Sequence, residues 1–128
     1  MKKKIVITGA FFAMIAVILG ALGAHWLKGK LLEPQLQSFE TAVRYLMYHS
    51  LALLFVGFAK EISSKWVSAL FISGTILFSG SIFLLSTQDI TGMQLSFMGP
   101  ITPIGGLLLI CGWALLIYKV ANFKLGKE

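Results

Sequence analysis

The chain has 128 residues and a net charge of +6, with 57% of its residues hydrophobic and only 12% charged. Soluble domains carry about a quarter charged residues, and here the apolar residues lie in long uncharged runs that water does not tolerate around so small a core. The basic excess does not point to nucleic acid, because the lysines stand at the ends of apolar runs with no patch of interleaved aromatics. Cys111, the single cysteine, leaves no internal disulfide, thiol zinc cluster or redox pair to build.

The first uncharged run is Ile5 to Leu27, long enough to cross a hydrocarbon core of about 30 Å. It follows Lys2, Lys3 and Lys4 and ends near Ala21-Leu22-Gly23-Ala24, a pattern shared with cleavable signal peptides. The run is longer than a signal-peptide core, so a retained helix is expected. The second span is predicted over about Pro34 to Ala59. Pro34 suits a first helical turn, and Leu36, Phe39, Val43, Leu46 and Met47 recur at helical spacing. Only Tyr45 to Ala59 is uncharged, so the first turns of this helix are placed at the interface. The third span is Trp66 to Thr87, opened by an interfacial tryptophan. Gln88 to Pro100 reads as a loop against the headgroups, and the fourth span runs from about Ile101 to Ala121. The expected fold is therefore all-α, one domain over residues 1–128, a four-helix membrane bundle in the cell membrane.

Orientation follows from the basic residues. One side collects Lys2, Lys3, Lys4, Lys60, Lys65, Lys119, Lys124 and Lys127; the other has Lys28, Lys30 and Arg44. The richer side is expected in the cytoplasm, with both termini inside. Small residues predict where helices approach in lipid: Gly9, Ala13, Ala16, Gly20 and Ala24 on the first helix, Ala69, Ser73 and Gly80 on the third, Gly105 and Gly112 on the fourth.

Ionisable groups inside a membrane are costly and tend to be functional. His25 closes the first helix; Glu40, Arg44, Tyr45, Tyr48 and His49 occupy the outer half of the second; Ser79, Ser81 and Ser86 lie along the third, and Thr102 opens the fourth. The candidate ligand site is therefore His25, Glu40, Arg44, Tyr45, Tyr48, His49, Ser81 and Thr102. Thr41, Tyr45, Tyr48, His49, Ala52, Val56 and Ala59 are expected to form the inward face of the second helix. Arg44 is expected to face the bundle and pair with Glu40 four residues away, and His25 and His49 are expected near each other or near shared partners. A second reading stands beside this one: a snorkelling arginine, ordinary aromatic-belt tyrosines and a structural histidine.

Sharper chemistry is not expected. Two histidines give an incomplete ligand set, nothing resembles His-Glu-x-x-His, and Asp89, the only aspartate, sits in a loop away from any serine–histidine pair. No catalytic residue, metal or cofactor is therefore predicted. Membrane lipids are the expected partners, with self-association or association with other membrane proteins left open.

Several segments resemble one family. Gly20-Ala21-Leu22-Gly23-Ala24-His25 with Leu27-Lys28, Phe39-Glu40-Thr41-Ala42-Val43-Arg44-Tyr45 with Tyr48-His49, Phe78-Ser79-Gly80-Ser81, Ile101-Thr102-Pro103-Ile104-Gly105-Gly106 and Gly112-Trp113 are similar, in one order over nearly the whole chain, to domain of unknown function family 423 of small bacterial membrane proteins. A eukaryotic family named transmembrane protein 256 is similar too. The resemblance implies an inner-membrane protein with several helices and brings no established activity, so no catalytic residue is carried over. Three roles remain: a small structural or accessory protein, a binder or transporter of a lipid-like or small polar ligand at the outer cluster, or a haem or metal protein using His25 and His49.

Overall fold

A computed structural model describes residues 1–125 of the chain. Lys127, counted above with the cytoplasmic charges, and the end of the basic tail lie outside the described residues. Four helices are long and apolar enough to cross a membrane, and no strand of more than an isolated bridge occurs among the described residues. In hydrocarbon every backbone polar group must be satisfied within its own segment, and these uncharged runs meet that demand as helices. The chain forms the all-α membrane bundle expected of it.

Helix α1 is Lys3–His25 and α2 is Glu33–Phe58. Between them the chain reverses through Gly29, whose φ of 88° suits a residue without Cβ. Leu27 and Leu31 turn inward here onto Leu36 and Phe39, which is why α1 stops two residues short of the end of its apolar run. Gln35 closes the start of α2 by accepting the Leu32 N–H through Oε1 at 3.1 Å, and Pro34 occupies the first turn. Helix α3 is Lys65–Ser86, capped by Ser64, whose hydroxyl accepts the Trp66 N–H at 3.1 Å.

The segment expected to be a plain loop holds one helical turn, α4 (Gln88–Thr91), and a short 3₁₀ turn at Ser96–Met98. Its own side chains explain the order. Gln88 Oε1 accepts the Leu95 N–H at 2.7 Å, and Gln35 of α2 donates to Asp89 Oδ2 at 2.6 Å. Helix α5, Ile101–Ala121, completes the bundle.

The helices pack in chain order, α1 on α2, α2 on α3 and α3 on α5, while α1 and α5 do not run along each other. Small residues set the two closest seams. A Cβ on Gly9 of α1 would stand 2.9 Å from the Ser50 carbonyl oxygen of α2, and one on Gly105 of α5 would meet the α3 backbone at Leu77 and Phe78. The stripe expected on α3 is corrected: Gly80 has open space beside it and Ala69 is exposed, whereas Gly74 lies against Leu109. The main core joins Leu53, Val56, Val67, Phe71, Leu109 and Leu116, nearer the end of the bundle where the termini lie. A second cluster, with Phe39 edge-on to Phe83 at 5.1 Å, holds the opposite end.

Candidate functional site

Helices α2 and α5 both rest on α3 without packing closely on each other, and two hollows lie one above the other along the line where they part. The one toward the α1–α2 turn is about 390 Å³ and is lined by Pro34, Gln35, Ser38, Ser86 and Thr102 with Ile82 and Leu85. The deeper one, about 280 Å³, is lined by Tyr45, His49, Phe78, Gly106, Ile110 and Trp113 with Leu109. On α2 the lining steps through residues 34, 38, 45 and 49, and on α5 through 102, 106, 110 and 113, so successive turns of both helices face one seam. The upper hollow offers amide and hydroxyl groups. The lower one offers aromatic and aliphatic carbon with one imidazole.

That imidazole ends the seam. Trp113 donates its indole N–H to His49 Nε2 at 3.0 Å, and His49 Nδ1 lies 2.7 Å from the Tyr45 carbonyl oxygen. With Nε2 accepting, the ring proton belongs on Nδ1, where it donates to that carbonyl. Both ring nitrogens are thus used and the histidine is neutral in this arrangement. Phe71 lies edge-on to His49 at 5.6 Å and tilted against Trp113 at 4.9 Å. Tyr45 stacks near the imidazole at 6.2 Å and packs on Phe78 at 5.0 Å. His49 is 4% exposed, so this bond spans α2 and α5 in a protected place where an unpartnered nitrogen would be costly.

Hydroxyls make the other cross-links. Ser79 of α3 donates to the Ala42 carbonyl of α2 at 2.9 Å, and Ser81 of α3 shares a short hydrogen bond with Thr102 of α5. Ser86 turns back to the Phe83 carbonyl at 3.3 Å while lining the upper hollow.

Of the residues proposed from sequence, Tyr45, His49 and Thr102 line the seam, and Ser81 is bonded to Thr102. Glu40, Arg44 and Tyr48 lie on a different face of α2 and are exposed. The inward face expected of α2 is therefore corrected in phase. Ala42, Leu46, His49, Ser50, Leu53 and Val56 are buried, whereas Tyr45 is 40% and Tyr48 is 54% exposed. Arg44 does not face the bundle, and it donates to Thr41 Oγ1 at 2.9 Å. No ion pair with Glu40 occurs among the described residues. The reason is where α1 sits: Val43 lies 3.3 Å from the Cβ position of Gly20 and Phe39 lies 3.0 Å from that of Gly23, so the adjoining Glu40 and Arg44 rotate away from α1.

His25 is exposed at the end of α1. Gly9 of α1 lies opposite Ser50 and Leu53, and Gly23 lies opposite Phe39. On that register His49 is level with about Ala13, so the two histidines stand ~18 Å apart along the helices at 1.5 Å per residue. They are not neighbours, and a haem or metal held by both is excluded by that distance. The same register moves His49 from the outer half of the bundle to its middle. Among the described residues no three His, Cys, Asp or Glu side chains gather as a metal would require.

Trp113, Phe78, Gln35 and Ser38 also line the seam, and the sequence pattern does not single them out. Trp113 does carry a signal: it lies well inside an uncharged run, whereas membrane tryptophans concentrate at interfaces, and an indole N–H at hydrocarbon depth needs an acceptor. Here the acceptor is His49 Nε2 on α2.

The model of the family described as "Protein of unknown function (DUF423)" matches residues 19–106, which include both histidines, all of α2 and the start of α5. A UPF0382 membrane protein of Staphylococcus aureus is 44% identical over 125 residues, covering 95% of this chain and 97% of the relative. One of Staphylococcus haemolyticus is 40% identical, covering 94% and 98%. The UPF0382 membrane protein YwdK of Bacillus subtilis is 39% identical, also covering 94% and 98%. No solved structure matches the chain.

Proposed function

Because the chain belongs to the family described as protein of unknown function (DUF423), a family of membrane proteins, we propose that it is a small accessory protein that holds one lipid-like amphiphile between α2 and α5. The observation that carries this reading is the order of chemistry along the seam. Amide and hydroxyl groups of Gln35, Ser38, Ser86 and Thr102 stand at its mouth, and carbon surface lies below, ended by the Trp113–His49 bond. From Pro34 to His49 is about 22 Å of helix at 1.5 Å per residue, which accommodates a headgroup above roughly 15 Å of chain, half a hydrocarbon core. The two hollows together are of the size that small ligands occupy, which is about 300–1,000 Å³. Among the described residues no carboxylate or ammonium lines them, so the headgroup is bound through hydroxyl or amide contacts.

The mouth opens outward if both termini are cytoplasmic. Lys2, Lys3, Lys4, Lys60, Lys65, Lys119 and Lys124 at the terminal end, against Lys28, Lys30 and Arg44 at the other, support that orientation. Cysteines placed near Ser64 and near Gly92 in a Cys111→Ala background should react with a membrane-impermeant thiol reagent from opposite sides. Reaction of both from one side would reject it.

Gly106 provides the test of binding. A Cβ there meets only the Phe78 ring, at 3.6 Å, so leucine extends into the lower hollow without moving a backbone. In a Trp26→Phe, Trp66→Phe background, a brominated single-chain lysophospholipid should quench Trp113 fluorescence saturably, at one molecule per chain. Native mass spectrometry should show one retained lipid. Gly106→Leu should abolish the saturable quenching and the retained lipid while the protein stays folded. If quenching rises linearly with bromolipid in both proteins, α2 and α5 enclose no specific ligand.

A further inference from the structure

We propose that two copies of this chain pair in the membrane through the uncovered face of α2, with Glu40 of each copy meeting Arg44 of the other. This face is separate from the seam that α2 shares with α5. It is defined by Gln37, Thr41, Arg44, Tyr48, Leu51 and Phe55, spaced four, three, four, three and four residues apart. That is the alternation that brings one side of a helix against a like helix in a left-handed crossing. None of its side chains is buried by the chain: Gln37 and Arg44 are exposed, Thr41 is half-buried, and Tyr48, Leu51 and Phe55 are 54%, 54% and 58% exposed.

The composition of the face at its depth singles it out from the other uncovered faces. The outward side of α1 shows Ile7, Phe11, Met14 and Ile18, and that of α5 shows Ile104, Leu107 and Ile117, which lipid chains cover without cost. The α2 face instead carries a cation. Val43 lies against Gly20 and Ser79 bonds to Ala42, so Arg44 is level with about Leu19 of α1 and Leu77 of α3. Both levels lie within about 8 Å of the midpoints of those helices at 1.5 Å per residue. Charged side chains at such depth almost always pair or line a water-filled space. Among the described residues Arg44 has only the Thr41 hydroxyl, and Thr41 in turn donates to the Gln37 carbonyl at 3.0 Å. Glu40, one turn nearer the interface, accepts no hydrogen bond and pairs with no cation among the described residues.

The occupant that fits is a second copy. Two identical chains insert in the same orientation, so a closed symmetric pair meets about a two-fold axis along the membrane normal, which sets α2 parallel to its counterpart. Across that axis residues face partners at equal depth. Arg44 leans toward the N-terminal end of α2, as helical side chains do, and so reaches the level of the opposite Glu40. The same contact repeats on the other side of the axis. One face carrying both signs one turn apart thus complements itself twice, with no residue required from a third protein.

Leu51→Cys in a Cys111→Ala background should form a disulfide-linked dimer on oxidation in native membranes, whereas Phe11→Cys on α1 and Leu107→Cys on α5 should not. Charge exchange tests the pairing itself. Arg44→Glu alone and Glu40→Arg alone should each lower the dimer fraction, seen by native mass spectrometry from nanodiscs, at least tenfold. Glu40→Arg with Arg44→Glu should restore part of it, since both pairs regain opposite charges although the exchanged arginine leans away from its partner's level. Equal cross-linking at all three cysteines, an adduct of Leu51→Cys with a protein of different mass, or an exchange variant as monomeric as the single variants would each overturn the proposal. The cross-link is read in a chain with both charges intact, so misfolding of a charge variant does not decide the result.

Discussion

Helix α5 meets its neighbours in two opposite ways. Against α3 it has almost no space: Gly105 brings its backbone onto Leu77 and Phe78, and Gly112 lies under the Phe71 ring. Toward α2 it stands apart, and among the described residues the gap is crossed by one long-range bond, Trp113 to His49, beside two hollows. In hydrocarbon, apolar area gives helices no reason to prefer each other over lipid. Contact therefore forms where glycine lets backbones meet, and a cleft is left where it does not. The close seam makes the bundle stable, and the open seam leaves the two hollows.

The largest expected effect lies in the close seam. Gly105→Leu must push α5 off α3 and should destabilise the protein by about 3 kcal/mol or prevent folding, since an overpacked core has no cheaper relief. Its neighbour Gly106→Leu should remain within about 0.5 kcal/mol of the parent, because its side chain enters a hollow. Denaturation with a harsh detergent compares the two, and equal losses would erase the distinction between the seams.

A middle-sized effect belongs to the bond across the open seam. Trp113→Phe keeps an aromatic ring but leaves His49 Nε2 without its donor, and should cost about 1–2 kcal/mol. Trp113→Phe combined with His49→Leu should cost less than the sum of the two singles, with a coupling of about 1 kcal/mol. Strict additivity would mean that the indole and imidazole do not hold each other across α2 and α5.

Ser79→Ala removes one bond from a carbonyl already engaged within α2, so about 0.6 kcal/mol is expected, the average for interhelical bonds in membranes. The smallest effect should come from the α2 outer face in a monomer. Arg44→Leu and Glu40→Leu, diluted in detergent below dimerisation, should be additive within about 0.5 kcal/mol, because the two side chains do not touch within one chain. A strong coupling in the monomer would restore an ion pair that α2 does not show.

Part of the site is legible in the amino-acid sequence. His49, Tyr45, Ser81 and Thr102 stand out because polar groups in a span are few, and the fold places all four at or beside one seam. Arg44 and Glu40 stand out by the same rule, but the rule assigns them to the wrong face. The difference is one of phase: α2 is apolar enough all round that its polar residues seem to mark the inside by pattern alone, whereas Ala42, Leu46 and Leu53 mark it in fact. Trp113 escapes the rule because an apolar span hides the one indole whose N–H has to find an acceptor on another helix.

The number of spans, their approximate extents and the basic bias between their ends are determined by the sequence alone, since each is a local property: the length of an uncharged run measured against a bilayer, and the charges beside it. The rotation of each helix, the depth of His49 and the choice of Trp113 as its partner are decided only in the tertiary structure. These depend on pairs of residues from different helices, and in lipid the pairs follow from where small residues permit contact, as Gly9 and Gly105 do, rather than from any pattern within one helix.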